Sequence, residues 1–461
     1  MRHLTLPETE ACQRMENRIC DLPDDLLVRI LLFVPTTKEA VATAVLSKRW
    51  RHVWTMLHEL VFKDEGSESV GSFIEKSLQL HKAPKLLRLI VELGPRSHVD
   101  VDVMKLIENA VNRGVELLDF MLLWNADPTR FPKSLYTCDT LVFLTLSNKI
   151  LVDVSSPVRL PSLLYLRLFY VVYKDEDSLV RLLSSSPALE NLAVERHKDD
   201  NLTNFTIKVS SLKTLYYTWA DEDEDEDEDE EQEQEEDDDD LIGSLVIDSP
   251  ALTKLDLMDV WEDCLIENMA CLNDASIHSV HNPDDKFLRS LSCYIYLTQS
   301  MLMLCFFFPS YQQVACCNDI KFSRLIELYF WPDTSVDWLE PLMFLLQNSP
   351  NLKTLVINTV STFLPLPPSW NQPNSVPGCL SSHLEIFGWR YYDGREDEKQ
   401  LLTYILTNSK CLKTVEISLM EDPNLEERQK EVESMPRIST SCRLLFPTEM
   451  ECRSNETVTS L

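Results

Sequence analysis

The apolar residues near the start of the sequence recur at helical spacing. In LPDDLLVRILLFV, residues 22–34, large apolar side chains fall three or four positions apart, and Pro35 follows them. Thr36 and Glu39 then have the spacing of a capping box, ahead of a short run rich in alanine and valine. This pattern predicts an amphipathic helix that ends at Pro35 and a second, shorter helix that begins at Thr36.

A third helical stripe follows in SKRWRHVWTML, residues 47–57. Its apolar positions recur at i, i+3, i+4 and i+7, and they are Trp50, Val53, Trp54 and Leu57. Ser47 is placed to cap this helix. Because the two tryptophans share one face, we expect them to point into a core or towards a partner protein. The neighbouring cations are then poorly arranged for binding nucleic acid.

From residue 86 onwards the pattern changes to a hexad, apolar-x-x-apolar-x-apolar. The first six hexads begin 29, 26, 22, 26 and 23 residues apart, in or next to the range of leucine-rich repeats. Alternate residues of a strand face the same way, so each hexad predicts a short strand with its apolar residues buried. The 11 hexads are Leu86/Leu89/Val91, Val115/Leu118/Phe120, Leu141/Leu144/Leu146, Leu163/Leu166/Leu168, Leu189/Leu192/Val194, Leu212/Leu215/Tyr217, Leu252/Leu255/Leu257, Leu325/Leu328/Phe330, Leu352/Leu355/Ile357, Leu384/Phe387/Trp389 and Leu412/Val415/Ile417.

Some segments between the hexads, such as 176–192 and 338–355, carry helical periodicity and end near a serine-proline pair. We therefore predict an α/β chain, with an N-terminal triplet of helices followed by an irregular, curved leucine-rich-repeat solenoid. Stacked repeats bury a continuous core, and the interleaved strand positions line an exposed sheet. Those positions either bind a partner or pack on neighbouring repeats, and both interpretations stay open. The residues singled out there for binding a target are Tyr165, Arg167, Phe169, Tyr216, Tyr329 and Trp331.

The N-terminal triplet resembles a known module, the F-box, over residues 17–62. The resemblance rests on LPDDLL at 22–27, on the proline after FV, and on VLSKRWRHVW at 45–54. The F-box has three helices and docks on the Skp adaptor subunit of SCF (Skp, cullin, F-box) ubiquitin ligases. This chain has Thr36 and Thr37 where relatives usually have one threonine, and the inserted residue bears on the orientation of the second helix. The resemblance implies adaptor contacts at Leu22, Pro23, Leu26, Ile30, Leu31, Val45, Leu46, Ser47, Lys48, Arg49 and Trp50.

The C-terminal part is similar to a second named pattern, the FBD region that closes many plant F-box proteins with leucine-rich repeats. The similarity covers HLEIFGWRYYDGREDEKQLLTYILTNSKCLKTVEIS at 383–418 and SMPRISTSCRLLF at 434–446. The residues alone predict a strand, a charged turn, a helix and another strand, which would cap the solenoid. The predicted organisation is therefore an F-box at 17–62, leucine-rich repeats at 84–360 and an FBD region at 378–450.

Charge changes the picture only for the choice of partner. The chain has 75 acidic and 43 basic residues, a formal net charge of −32, and 18 of the acidic residues lie in one run at 221–240. The 57 acidic residues outside the run still exceed the basic ones, so nucleic acid and anionic membranes are disfavoured partners. We expect the run to be a disordered insertion between repeats. It either holds a basic partner or is a solvated repeat tract, and the second interpretation is favoured.

The sequence carries no motif of catalysis, of a bound cofactor or of a metal site. It lacks GxG spacing, a GxSxG elbow and HExxH, and the close pair His278 and His281 has only aspartates nearby. The 13 cysteines form no CxxC, which is typical of reduced thiols in the nucleus or cytoplasm. The apolar stretch at 294–308 is too short and too polar to span a bilayer. We expect an intracellular binding protein that is not an enzyme.

The two resemblances together imply a substrate-recognition subunit of an SCF-type E3 ubiquitin ligase. The F-box would dock on a Skp-type adaptor and, through it, on the cullin, while the repeat face would capture a target protein whose identity the sequence does not give. Proximity would then promote transfer of ubiquitin to the target. An alternative stays open: an acidic leucine-rich-repeat protein that binds or chaperones basic proteins such as histones, which would explain the acidic run.

Overall fold

The structure is a computed structural model, and it falls into two compact units, Met1–Leu202 and Thr203–Leu461. The residues that it describes are 19, 22–64, 70–95, 101–124, 127–197, 200–220, 243–260, 263–280, 287, 289–290, 301–306, 320–331, 338–359, 375–420 and 425–447. The acidic run at 221–240, residue 281 of the histidine pair and most of the apolar stretch at 294–308 lie outside them.

The first unit begins with three short helices and continues as repeats. Its helices are α1 (Asp24–Leu31), α2 (Thr37–Ala42), α3 (Trp50–Val53), α4 (Val70–Leu80), α5 (Val103–Asn112) and α6 (Glu176–Ser184). Its strands are β1 (Glu59–Lys63), β2 (Arg88–Leu93), β3 (Leu117–Leu122), β4 (Thr129–Arg130), β5 (Phe143–Asn148), β6 (Ile150–Val152), β7 (Tyr165–Phe169), β8 (Val172–Tyr173) and β9 (Asn191–His197). Short 3₁₀ turns lie at Thr43–Val45, Trp54–Met56 and Leu135–Thr137.

The second unit consists of repeats throughout. Its strands are β10 (Asn204–Lys208), β11 (Thr214–Ala220), β12 (Ser244–Asp248), β13 (Lys254–Val260), β14 (Asp263–Glu267), β15 (Asp274–Val280), β16 (Met301–Phe306), β17 (Glu327–Phe330), β18 (Thr354–Asn358), β19 (Ile386–Tyr392), β20 (Thr414–Leu419) and β21 (Arg443–Leu445). Its helices are α7 (Leu339–Asn348), α8 (Gly378–Ser382), α9 (Glu396–Asn408) and α10 (Leu425–Ser434).

The main strands pair in parallel and nearly in sequence order. In the first unit the order is β1-β2-β3-β5-β7-β9, and in the second it is β11-β13-β15-β16-β17-β18-β19-β20-β21. Equivalent hexad residues face one another across each pair, as Leu118, Leu144 and Leu166 do. The predicted α/β class, with a helical triplet ahead of stacked repeats, is confirmed.

The hexads predicted the buried residues of these strands. Each of the 11 contributes its second and third named residues to a strand, and all 33 residues named in the hexads are at most 2% exposed. Burying one such leucine contributes about 2 kcal/mol relative to leaving it in water. At the end of β5, Asn148 adopts a positive φ of 68°, a conformation that asparagine tolerates better than most residues. The asparagine of the repeat pattern therefore turns the chain away from the sheet.

Several strands were missed because they lie between the predicted hexads. The short strands β4, β6 and β8 form a second sheet, and β10, β12 and β14 form a third. Strand β1 has its own hexad, Leu57/Leu60/Phe62, which directly follows the last turn of the helical triplet. The repeat sheet therefore begins at Glu59, inside the segment that the sequence assigns to the helical module.

Two helix ends differ from the sequence prediction. Helix α1 ends at Leu31, four residues before Pro35. The prediction that Ser47 caps the third helix is wrong, because α3 begins at Trp50 and its N-cap residue is Arg49. Residues 48 and 49 form a turn instead. The helices at 176–184 and 339–348 and the strand-turn-helix-strand order at the C-terminus are as predicted.

Candidate functional site

The helical triplet, residues 22–57, has a small core of its own. Leu27 and Leu31 of α1 pack with Trp50, Val53 and Trp54, together with Ala40 and Leu57. The stripe of apolar residues predicted in the third helix therefore points inward. This core fixes the directions of the side chains that remain outside.

Helix α2 begins with the predicted capping box. The Glu39 backbone N–H donates to the Thr36 hydroxyl at 3.2 Å, and the Thr36 backbone N–H donates to the Glu39 carboxylate at 3.2 Å. Two of the backbone donors that a helix start leaves unpaired are thus satisfied. The capping prediction is confirmed, and it fixes where α2 starts.

The second of the two adjacent threonines has a different role. Thr37 is only 3% exposed, and its hydroxyl accepts a hydrogen bond of 2.8 Å from the backbone N–H of Val61 in β1. Because β1 is an edge strand of the repeat sheet, this bond satisfies a donor that no neighbouring strand pairs. Thr37 therefore ties α2 to the first repeat strand.

An ion pair links the start of α1 to the turn before α3. The Arg49 Nε donates to Asp24 Oδ1 at 2.8 Å, and its Nη2 reaches the same oxygen at 2.5 Å. Both side chains are partly exposed, so we expect the pair to contribute less than about 1 kcal/mol. The pair fixes the position of the turn before α3 relative to the start of α1, although the two residues are 25 positions apart in the sequence.

Exposed apolar side chains concentrate on the triplet. Among the residues that the structure describes, 18 large hydrophobic side chains are exposed, and six of them lie between Leu26 and Leu46. Val45 and Leu46 are 88% and 62% exposed, and Leu26 and Ile30 share one face of α1 because they are four residues apart. Such a concentration on a small module is typical of a surface that binds another protein.

The residues predicted to bind an adaptor divide into two groups. Leu31 and Trp50 are 2% and 3% exposed, because they belong to the triplet core. The remaining nine are exposed or partly exposed, and they are Leu22, Pro23, Leu26, Ile30, Val45, Leu46, Ser47, Lys48 and Arg49. The hydroxyl of Ser47 has no hydrogen-bond partner within the described part of the chain.

In the first unit, the outward residues of β7 lie beside an aromatic residue that the sequence analysis missed. Tyr165 stacks on Phe143 of β5 with ring centroids 4.3 Å apart and an interplanar angle of 9°. Arg167 is exposed two residues further on, and Phe169 is partly buried. Phe143 occupies an interleaved position of the hexad at 141–146, so alternation alone would have pointed to it.

In the second unit, the predicted aromatic residues lie in two places. Tyr329 and Trp331 stack with centroids 6.2 Å apart. Tyr216 lies in the same row of the sheet as Tyr329, but four strand spacings away, roughly 19 Å. The structure therefore brings together Tyr329 and Trp331 and leaves Tyr216 apart.

The row of strand positions that contains Tyr329 also contains a glycine, which has no side chain to fill the surface there. Tyr329 faces Val356 of β18, which faces Gly388 of β19. A Cβ on Gly388 would lie 3.1 and 3.2 Å from the two methyl groups of Val356, closer than ordinary contacts allow. Burial and the carboxylate of Glu327 raise the pKa of Tyr329, so its phenol remains a neutral hydrogen-bonding group.

Comparisons with known proteins match all three parts of the chain. The F-box domain model matches residues 19–62, and the FBD model matches residues 372–417. A model of the LRR repeats of the FBD-associated F-box protein At5g56370 matches residues 103–231. None of these three models describes an enzyme. No helix among the described residues is long and apolar enough to cross a membrane.

The chain is also similar to whole proteins of Arabidopsis thaliana. An F-box/FBD/LRR-repeat protein is 65% identical over 461 residues, covering 99% of this chain and 97% of the relative. An FBD-associated F-box protein is 45% identical over 456 residues, covering 94% and 97%. A further F-box/FBD/LRR-repeat protein is 36% identical over 447 residues, covering 93% and 100%.

Proposed function

Because this chain belongs to the plant F-box/FBD/LRR-repeat proteins, we propose that it is a substrate-recognition subunit of an SCF-type E3 ubiquitin ligase. In this role the helical triplet docks on a Skp-type adaptor, and through it on the cullin. The outward face of the repeats binds the target protein. The chain needs no catalytic residue of its own, because it raises the local concentration of the target near the ligase.

The observation that supports adaptor docking is the concentration of exposed apolar residues on the triplet. Val45, Leu46, Leu26 and Ile30 each leave apolar surface in water that a partner would cover. Leu31 and Trp50 then act by positioning this surface, since their side chains fill the core beneath it. Thr37, the second of the two adjacent threonines, bonds to the backbone of β1, which supports a fixed position for α2 beside this surface.

The cysteine content and the net charge of the chain bear on its compartment and on the kind of target that it binds. Its 13 cysteines without a CxxC suit a reducing compartment, and we place the protein in the nucleus, the cytoplasm or both. Its net charge of −32 favours a target with basic surface over nucleic acid or an anionic membrane.

A pull-down of the purified full chain with a Skp-type adaptor tests the proposal. The test variant carries Val45→Ser and Leu46→Ser, and the matched control carries Val180→Ser and Leu80→Ser, which remove an exposed valine and leucine outside the triplet. Losing two buried apolar contacts of about 1.5 kcal/mol each should weaken adaptor binding by about a hundredfold, while the control should bind as wild type does.

Two outcomes would contradict the proposal. One is a folded wild-type chain that does not bind the adaptor, and the other is equal weakening by the test and control variants. In the first case the alternative function, binding or chaperoning of basic proteins such as histones, becomes the better explanation. Deletion of 221–240 should then abolish most binding to a basic protein and its salt dependence.

A further inference from the structure

A cavity of about 490 Å³ lies within the first unit. Its floor is the outward face of β1, β2 and β3, including Val61, Ile90 and Met121, and its wall is the segment at 31–37 that follows α1. Cavities of this size commonly bind ligands or side chains of partners. It forms because the Thr37 hydrogen bond holds α2 against the edge of the sheet.

The charges that line this cavity do not balance. The lining contains three acidic and two basic side chains. Lys63 pairs with Glu92 at 3.3 Å, and Arg88 pairs with Glu59 at 3.5 Å. Asp119, the fifth, forms no hydrogen bond and no ion pair within 4.0 Å with any other described residue. The lining therefore carries a net charge of −1, and this charge belongs to Asp119.

The environment of Asp119 is poorly suited to an isolated carboxylate. Its side chain faces out of β3 between Ile90 on β2 and Thr145 on β5, and burial raises its pKa. Arg167, Arg88 and Lys63 lower that pKa and Glu92 raises it further, but none of these three cations forms a direct ion pair with Asp119. A partly desolvated carboxylate without a bonded cation is stabilised when a positive group reaches it.

The other lining residues suit the apolar part of such a group. Val61, Ile90 and Met121 offer an aliphatic surface beside the carboxylate. Phe33 also lines the cavity and is 90% exposed, so it stands where the cavity opens to solvent. A cation entering past an aromatic face gains a further attraction to the ring.

We propose that this cavity is a recognition pocket for a basic side chain of the bound target, with Asp119 as its counter-ion. The aliphatic stem of a lysine or arginine packs on Val61, Ile90 and Met121, and its charged end reaches the carboxylate. This inference rests on the proposed function, because it assigns the target to the outward sheet face. It adds a substrate class: a polypeptide segment that presents a basic residue to the junction of triplet and repeats.

The test measures the binding of two small probes to the full chain by ligand-observed NMR titration. Nα-acetyl-lysine methylamide mimics the side chain on a peptide, and the norleucine analogue keeps the stem without the charge. Asp119→Asn removes the carboxylate charge at nearly constant shape. Glu116→Gln is the matched control, because Glu116 precedes β3 and lies outside the cavity lining.

The lysine probe should bind wild type and Glu116→Gln equally, and about tenfold more tightly than the norleucine probe, which corresponds to about 1.4 kcal/mol. Asp119→Asn should lose this tenfold preference and keep its thermal midpoint, since it removes a charge that burial disfavours. A second variant, Val61→Phe, fills the cavity without changing its charge and should weaken both probes.

Absence of lysine-probe binding to wild type would overturn the inference, and so would equal binding to wild type and Asp119→Asn. The adaptor pull-down is run on the same protein samples. A wild-type chain that binds the adaptor but shows no lysine preference refutes the pocket alone, whereas a wild-type chain that does not bind the adaptor refutes the proposed function. The two failures are therefore distinguishable.

Discussion

Replacing Thr37 by valine tests whether this threonine anchors the helical triplet to the repeats. Valine has nearly the same shape, so the core around this 3% exposed side chain stays filled. The substitution removes only the hydroxyl that accepts the Val61 N–H at 2.8 Å. That donor belongs to an edge strand, so no neighbouring strand can replace the lost acceptor.

The magnitude follows from the burial of the bond. A typical hydrogen bond contributes about 1 kcal/mol net, but leaving one buried donor unpaired costs about 1–3 kcal/mol. We therefore expect Thr37→Val to lower the free energy of unfolding by about 2 kcal/mol. At about 1.4 kcal/mol per factor of ten, exchange of the Val61 amide hydrogen should accelerate by roughly 30-fold.

Hydrogen exchange monitored at single residues, together with urea denaturation, measures both quantities. Thr43→Val is the matched control, because the Thr43 hydroxyl donates only to the Ala40 carbonyl within the triplet, at 2.6 Å. The control should leave exchange at Val61 unchanged. Equal exchange at Val61 in wild type and Thr37→Val would refute the reasoning, because it would show that the amide does not depend on the hydroxyl.

Two further predictions concern buried charges. Burial raises the pKa of Glu398 to about 7, although its carboxylate accepts the Asp393 and Arg395 N–H groups at 3.1 and 3.0 Å. Ionising it therefore costs stability as pH rises from 4.5 to 7. By urea unfolding, the free energy of unfolding of Glu398→Gln should exceed that of wild type by up to about 3 kcal/mol at pH 8 and should equal it at pH 4. A difference that does not change with pH would contradict this prediction. Arg196 and Asp200 form a buried ion pair at 3.0 Å, so Asp200→Asn or Arg196→Met alone should cost about 3–5 kcal/mol. The double variant should cost less than the sum, and additive losses in the unfolding free energies would argue against the pair.

The repeat strands were predictable because their signal is local. The fourth and sixth residues of each hexad have the spacing of one strand face, so they identify the buried side chains without any knowledge of the neighbouring repeats. The same logic failed at β1, where the hexad Leu57/Leu60/Phe62 merges with the preceding helical stripe. It also failed for strands as short as Thr129–Arg130, which are too short to show a period.

Two of the site features that escaped prediction depend on residues distant in sequence. Thr37 and Val61 are 24 residues apart, and nothing near Thr37 distinguishes a buried tether from a loop insertion. Asp119 acquires its surroundings from β1, β2 and the segment after α1, so its lack of a bonded cation emerges only after folding. Ser47 was placed as a cap by residue type, but a turn at 48 and 49 delays the helix.

The alternation along each strand separates two kinds of information in the same few residues. In β5, Leu144 and Leu146 are buried in the stack, whereas Thr145 between them is partly exposed on the outward face. Substituting the outward residues of a strand therefore changes the surface that a partner contacts and leaves the buried residues that hold the repeats together unchanged. At Gly388 such a substitution is disfavoured, because Val356 already occupies the space that a larger residue would need.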